Sequence, residues 1–210
     1  MSIKTHILLE SEGLVPYQEL IKRYSVAIIH TVSQQLKLPN LDIVFSDNSR
    51  GVIPEIGVGG YAPTPHLIFI YINPKHPNLE KTLSLEVECT LAHELHHSAR
   101  SYTVGYGTTL LEALISEGLA DHFEIETTGV SPRQWSVAFS GAKLTDWNEK
   151  AKLEYKNTNY NHSDWFYGSK EKGIPRWIGY SIGFNLVGEY MKKNNKKSSE
   201  LVNLQAEKFV

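Results

Sequence analysis

His93, Glu94 and His97 are the residues whose types and spacing most clearly indicate chemistry, because they match the pattern H-E-x-x-H. On an α-helix, residues four apart project from one face, so the ring nitrogens of His93 and His97 can reach one metal ion. Neutral imidazole nitrogens suit zinc, and Glu94 can take a proton from a water molecule that the metal activates. A pattern of three fixed letters also arises by chance, so the assignment needs a second pattern.

The second pattern is a pair of carboxylates further along the chain. Glu117 follows His97 by 20 residues (117 − 97), and Asp121 follows Glu117 by four. A catalytic zinc takes three protein ligands and keeps one position open for water. Glu117 can be the third ligand, while Asp121, on the same helix face, can accept the N–H of a ligand histidine. The sequence therefore predicts a zinc site with His93, His97 and Glu117 as ligands and Asp121 behind them.

Together the two patterns resemble the thermolysin-type zinc peptidases, the glutamate-ligand zincins or gluzincins. The fuller wording H-E-L-H-H, S-E-G-L-A-D-H-F, D-W-F-Y-G and I-P-R-W-I-G-Y-S-I-G-F is similar to a bacterial family of predicted zinc-dependent proteases. This resemblance covers about residues 68–187. It implies a zincin fold in which the metal-binding helix packs on a small mixed sheet. It also implies His93, His97 and Glu117 as ligands and Glu94 as the general base.

The third ligand has alternatives. Asp121 could replace Glu117, as in aspartate-ligand zincins. Glu112 lies 15 residues after His97 (112 − 97), and we expect it to be an exposed acid in the first turn of its helix.

Three further residues near the motifs could contribute, although each also has a purely structural interpretation. Cys89 lies one turn before His93, so a thiolate ligand is conceivable, but we expect a buried thiol. His96 is expected to be a partly exposed neighbour of the ligands. His122 could donate a hydrogen bond to a transition-state oxyanion, but a half-buried polar residue is the more common outcome.

Hydrolysis of an amide also requires a donor aimed at the negative charge that develops on the carbonyl oxygen. Tyr180 and Arg176 are candidates on a predicted C-terminal helix. Gly179 and Gly183 are four apart, which allows the backbone of that helix to approach another element closely. Tyr180 adjoins this small-residue face and could point into the metal site, or it could be a core tyrosine with a satisfied hydroxyl. Tyr106 is a weaker candidate.

The hydrophobic pattern predicts the elements that must position these residues. Strands are predicted at residues 41–45 and 66–73, and residues 164–168 are predicted to be a loop. The glycine-rich residues 57–61 should allow close approach of a strand or of an extended ligand. Helices are predicted over about residues 15–36, from Asn78 or Thr82 to about 98–100, and over 110–126 with Thr108 or Thr109 as the cap. Further helices are predicted over about residues 132–138, 145–155 and 176–191, and from 198 or 199 to the C-terminus. Strands come early and helices late, so the fold class should be α+β.

Composition limits the class of protein. The 210 residues are 41% hydrophobic, which suits a single domain with a helix and sheet lobe over about residues 1–104 and a helical lobe over about 105–210. A net charge of −2 does not favour nucleic acid, and no apolar run approaches the roughly 18 residues that span a membrane. One cysteine and the absence of a secretory signal are consistent with the cytoplasm. A monomer is the default expectation.

The predicted function is a zinc metallopeptidase that acts on a peptide or protein substrate. An extended substrate would pair with a strand edge near residues 57–61. The rival hypothesis is a zinc-dependent binding or regulatory domain that hydrolyses nothing. Glu94 weighs against this rival, because a purely structural zinc site has no use for a base and prefers four closed ligands. Hydrolysis of a non-peptide amide is a third possibility.

Overall fold

One mixed sheet lies in the N-terminal half of residues 2–210, the part of the chain that this computed structural model describes. Its strands are β1 (Ile3–Ile7), β2 (Leu41–Ser46), β3 (Val58–Thr64) and β4 (Leu67–Ile72), in the order β1-β2-β4-β3. β2 pairs in parallel with both β1 and β4, whereas β3 is antiparallel to β4. β3 is therefore an edge strand of the sheet.

The sheet and two helices share an apolar core. Helix α1 (Gln18–Gln35) connects β1 to β2, and the longer helix α2 (Leu79–Ser101) follows β4. Strands β2 and β4 bury alternate side chains, as expected where one face of a strand is covered. Among the fully buried residues of this core are Ile21, Val32, Ile43, Phe45, Ile68, Ile70, Ile72, Leu83 and Leu91.

The C-terminal half is helical and is centred on α3 (Leu110–Thr128). The other helices are α4 (Gly141–Glu154), α5 (His162–Tyr167), α6 (Ile178–Asn194) and α7 (Ser198–Leu201). Helix α3 packs against α6, where Gly118 and Gly183 bring the two backbones into direct contact. A Cβ at Gly118 would overlap the carbonyl group of Gly183. The prediction that glycine on this helix permits close approach of another element is therefore confirmed at Gly183, which contacts α3.

The chain divides into two compact units that meet in sequence between Thr103 and Val104. The first contains the sheet with α1 and α2, and the second contains α3 to α7. That the two form a single domain stays a prediction. In the described part of the chain, no helix combines the length and the apolar character needed to cross a membrane.

The α+β class and the small mixed sheet are confirmed, and α1, α2 and α3 lie where the sequence predicts them. Asn78 precedes α2, and Thr109 caps α3 in a capping box with Glu112. Gly129, with φ of 72°, ends α3 in the left-handed conformation that glycine adopts easily. Strands β1 and β3 were not predicted. The likeness of this fold to the zincins stays a prediction.

Three predictions in the C-terminal half were wrong, and a fourth was displaced at its start. Residues 134–137 form turns instead of part of a helix over 132–138. Residues 164–168 are largely helical, because the side chain of Asn161 caps α5 by accepting the N–H of Asp164. The helix predicted over 176–191 is present as α6, but it begins two residues later, at Ile178, because Trp177 has φ of 71°. The helix at Ser198 ends at Leu201, and a 3-10 turn over Ala206–Phe209 follows it.

Candidate metal centre

His93 and His97 converge on the same side of α2, as the helical spacing requires. Their Nε2 atoms are 3.0 Å apart, and the two rings meet edge to face with centroids 4.7 Å apart. His97 is buried and His93 is half-buried. Two nitrogens of a tetrahedral zinc site, each about 2.0–2.1 Å from the metal, would be about 3.3–3.4 Å apart. The observed pair therefore needs to open by only a few tenths of an ångström to bind one zinc ion.

Glu94 is buried on α2, with only 6% of its surface exposed. Its carboxylate lies against Gly60 of the edge strand β3, and a Cβ at Gly60 would overlap Glu94 Oε1. The glycine at this position therefore leaves the space that the Glu94 side chain occupies. The glycine-rich segment was predicted to allow close approach. Here it allows a side chain of α2 to approach β3.

Glu117 lies on α3, is buried, and accepts a hydrogen bond at Oε1 from the hydroxyl group of Tyr106 at 2.6 Å. Tyr106 belongs to the loop before α3, where Glu112 accepts hydrogen bonds from the N–H groups of Thr108 and Thr109. The expectation that Glu112 is exposed was wrong, because this capping role draws its side chain onto the start of the helix. Glu112 is half-buried.

Asp121 is held one turn further along α3. Its Oδ2 atom accepts a hydrogen bond from Ser136 Oγ at 2.6 Å, and its Oδ1 atom accepts one from Trp135 Nε1 at 3.3 Å. Ser181 on α6 donates to the backbone oxygen of Trp135 at 2.9 Å. The turns at residues 134–137 therefore supply donors to Asp121, and Asp121 itself is 1% exposed.

Two groups of side chains have the composition and spacing of a possible metal site. In the first, His93, His97 and Glu117 each offer one ligand atom, and these atoms lie within 4.8 Å of one another. In the second, ligand atoms of His93, Asp121 and Glu124 also lie within 4.8 Å of one another. Glu124 also accepts a hydrogen bond from the guanidinium group of Arg133, with which it forms an ion pair.

The chemistry of the donors favours the first group for zinc. Two imidazole nitrogens and one carboxylate oxygen match a catalytic zinc site with an open position. In the second group the carboxylate of Glu124 already neutralises Arg133, so its charge is less available to a cation. The residues of the first group therefore fit a zinc ion, and Asp121 remains the alternative acid.

Tyr180 is half-buried on α6, and its ring packs edge to face on Phe166 with centroids 4.9 Å apart. Its hydroxyl group is hydrogen-bonded to Tyr167. Burial raises the pKa of Tyr180 well above its usual value, and the charge of Glu117 raises it further. Tyr180 therefore keeps its proton at neutral pH. Arg176 instead is exposed, with its guanidinium carbon 4.2 Å from the ring centroid of Trp177.

The other candidates have structural surroundings. The expectation of a partly exposed His96 was wrong, because α2 is buried on all sides from Glu94 to Arg100 and His96 is fully buried. His122 is half-buried, donates from Nε2 to the carbonyl oxygen of Phe184 at 2.9 Å and stacks on its ring. Burial lowers the pKa of His122. Cys89 is buried, as expected.

Sequence reasoning missed the partners of the two acids on α3. Tyr106 was considered only as an oxyanion donor, and Trp135 and Ser136 were not considered. The glycines on either side of Tyr106 were visible in the sequence and have φ of 90° and 101°. They indicate an unusual loop but not which side chain it approaches. Nothing in the local pattern identifies Trp135 and Ser136.

Comparison with known proteins gives one family and two curated relatives. A family model described as "Predicted Zn-dependent protease (DUF2268)" matches residues 20–210. The "Uncharacterized protein YjaZ" of Bacillus subtilis (strain 168) is 29% identical over 135 residues, covering 59% of this chain and 49% of the relative. The "Uncharacterized protein YjfC" of the same strain is 24% identical over 171 residues, covering 73% and 54%. This chain thus spans about half the length of both relatives. No solved structure matches.

Proposed function

Because this chain belongs to the family described as predicted Zn-dependent proteases, we propose that it hydrolyses peptide bonds at a zinc ion bound by His93, His97 and Glu117. The observation that carries this proposal is the approach of their three ligand atoms to within 4.8 Å of one another. This donor set is that of the glutamate-ligand zinc peptidases. A zinc ion held there would supply Lewis acidity, which polarises a carbonyl group and makes water a better nucleophile.

Glu94 is the proton carrier in this proposal. Its carboxylate takes a proton from the attacking water and delivers it to the amine that leaves. The support is its position next to His93 on α2, together with its burial beside Gly60. A buried carboxylate in a confined position meets the reacting atoms with little reorganisation.

The edge strand β3 is the proposed binding site for an extended peptide. The N–H of Asn73 donates to the carbonyl of Gly57 at 2.8 Å, so Gly57 points towards β4. In an antiparallel pair, alternate residues point inward and outward, which directs the backbone groups of Val58 and Gly60 to the outer edge. The carbonyl of Val58 accordingly accepts from Ile53 instead of from β4. A peptide that pairs with Gly60 would run beside Glu94.

This placement of the peptide has its own measurement. Amide hydrogen exchange with and without a bound peptide-like inhibitor should show new protection at Gly60, whose backbone faces the outer edge. Unchanged exchange there, with the inhibitor bound, would exclude β3 as the peptide site.

Two further roles complete the proposal. The hydroxyl group of Tyr180 would donate to the oxyanion, and its raised pKa supports a role as a protonated donor. Asp121 would accept the N–H of a ligand histidine, which fixes the tautomer of that ring. Its burial, and the donors that Ser136 and Trp135 provide, support a carboxylate that is held in one orientation.

The test of the function is Glu94→Gln, because it separates metal binding from chemistry. The amide is nearly isosteric but cannot take the proton of the water. Zinc content should stay at one ion per chain, while turnover should fall by roughly 10²–10⁴-fold. Metal analysis and cleavage of a diverse peptide library, with and without a chelator, measure the two properties. Glu80→Gln, an exposed change in the first turn of α2, is the matched control.

Two results would change the conclusion. Undiminished turnover by Glu94→Gln would remove this mechanism. Stable zinc binding by the wild-type protein without chelator-sensitive cleavage of any peptide would favour a zinc-dependent binding domain.

A further inference from the structure

We infer that Tyr106 is a positioning residue for Glu117, and that its hydroxyl group sets the affinity of the site for zinc by fixing the orientation of the Glu117 carboxylate. This inference rests on the proposed function, in which Glu117 binds the metal. The contact that carries it is the hydrogen bond from the Tyr106 hydroxyl to Glu117 Oε1, at 2.6 Å. Donors to the side chains that bind a metal hold those ligands in the geometry that the metal requires.

Tyr106 is attached to α3 at two points. Its side chain binds Glu117, and its backbone carbonyl accepts a hydrogen bond from Ser116 Oγ at 3.0 Å. Ser116 and Glu117 are adjacent on the helix, so the main chain and the side chain of Tyr106 are bound to neighbouring residues. Because both its hydroxyl group and its carbonyl group are hydrogen-bonded to α3, Tyr106 cannot move away from the helix by rotation of its side chain alone.

The loop that carries Tyr106 is shaped by the start of the same helix. Gly105 and Gly107 have φ of 90° and 101°, a conformation that other residues rarely adopt. A Cβ at Gly107 would overlap the side chain of Glu112, whose Oε2 atom accepts from the N–H groups of Thr108 and Thr109 at 2.8 and 2.9 Å. The capping box of α3 therefore also sets the path of residues 105–109, and with it the position of the tyrosine.

This geometry distinguishes positioning from direct participation in the reaction. A phenol has one proton to donate, and the Tyr106 hydroxyl directs it to Glu117. The same proton cannot simultaneously stabilise an oxyanion on the substrate. The effect of Tyr106 on hydrolysis should therefore pass through the metal site, and it should be visible in the absence of substrate.

The experiment is a measurement of zinc affinity for Tyr106→Phe by competition with a chromophoric chelator. Removal of the hydroxyl should weaken zinc binding by roughly 10–100-fold, as for other partners of metal ligands. The visible absorption spectrum of the cobalt-substituted protein should also change, because it reports the geometry of the ligands. Neither measurement needs a substrate or an active enzyme.

Tyr160→Phe is the matched control. Tyr160 is half-buried, and burial together with the charges of Glu117 and Glu112 raises its pKa to about 12. Its hydroxyl group lies 3.4 Å from Nδ1 of His162. The control therefore removes a hydroxyl group that is close enough to feel the charge of Glu117 but does not bind it. Zinc affinity and the cobalt spectrum should stay as in the wild type.

A second variant keeps the test independent of the folding of Tyr106→Phe. Ser116→Ala removes the other attachment of Tyr106, and it should weaken zinc binding in the same direction but by a smaller factor. If Tyr106→Phe folds, a zinc affinity and a cobalt spectrum equal to wild type would overturn the inference. If Tyr106→Phe does not fold, an unchanged zinc affinity of Ser116→Ala would overturn it.

Failure of the proposed function gives a different result. In that case the wild-type protein fails to bind zinc, or Glu117→Ala binds it fully, and either result overturns this inference together with the ligand assignment. A wild-type protein that binds zinc through Glu117 and is insensitive to the loss of the Tyr106 hydroxyl overturns the positioning role alone.

Discussion

Helices α2 and α3 carry the proposed zinc residues, but the two helices hold them in different ways. On α2, Glu94 occupies space that Gly60 leaves open by having no side chain. On α3, Glu117 and Asp121 accept hydrogen bonds from Tyr106, Ser136 and Trp135, which come from outside the helix. Glu94 on α2 is thus placed by close packing against β3, whereas the two acids on α3 accept hydrogen bonds from residues outside that helix.

This difference has a chemical reason. A carboxylate that binds a metal must present one orientation, and donors of hydrogen bonds fix that orientation. A carboxylate that carries a proton must instead lie close to the reacting atoms, and the contact with Gly60 confines Glu94 to one position. Changes around α3 should therefore alter metal affinity, and changes around Glu94 should alter the rate.

The largest effect is expected when α3 loses its ligand. Glu117→Ala should release most of the zinc, because two histidines alone bind the ion weakly. Metal analysis of the purified variant measures this directly, with Glu149→Ala, an exposed acid on α4, as the control. Full zinc content in Glu117→Ala would assign the third ligand to Asp121 or to another acid.

Tyr180→Phe tests whether α6 adds a catalytic donor to this arrangement. The ring packing on Phe166 stays, so zinc content and melting temperature should stay close to wild type. If the hydroxyl donates to the oxyanion, kcat should fall by roughly 10²–10³-fold, with KM little changed.

The control for this change is Tyr190→Phe on the same helix. An unchanged kcat in Tyr180→Phe, with a loss of stability of only about 1 kcal/mol, would return Tyr180 to the core. Steady-state kinetics and thermal melting together separate the two results.

Gly60→Ala tests the fit at α2. The added methyl group would displace the Glu94 carboxylate, and a displacement of about 1 Å can lower a rate by up to about 10²-fold. Zinc content should be unchanged, because no ligand moves. Gly118→Ala is the contrasting variant, since its methyl group meets the backbone of Gly183 and should cost about 1–3 kcal/mol of stability. A wild-type kcat for Gly60→Ala would contradict the steric explanation.

The smallest effect is expected for Asp121→Asn. The amide removes one acceptor atom but keeps the size of the side chain, so zinc affinity should weaken by roughly 10–100-fold without being abolished. The chelator competition described for Tyr106 measures it. A complete loss of zinc would instead indicate that Asp121 is itself a ligand.

The features that could be predicted from the sequence are those that depend on neighbours along the chain. The helical period, the cap at Thr109 and the glycine at 129 place α2 and α3 within a few residues of their observed ends. The convergence of His93 and His97 follows from helix geometry alone. These local causes act wherever the helix lies in the molecule.

The features that could not be predicted depend on contacts with distant parts of the chain. Strand β3 contains two glycines and a proline, which disfavour strands, but the antiparallel pairing with β4 stabilises it. Ser131 and Pro132 favour a helix start, yet the segment forms turns in which Trp135 and Ser136 bind Asp121. Tertiary contacts overrode the local preference in both cases.

The glycine contact between α3 and α6 also has a consequence for motion. Where Gly118 and Gly183 meet, the two backbones are in direct contact, without side chains between them that could adjust to a displacement. We therefore expect a shift of α6 to move α3 with it. Because Glu117 adjoins Gly118 and Tyr180 lies one turn before Gly183, we expect these two side chains to keep their mutual distance when the helices move.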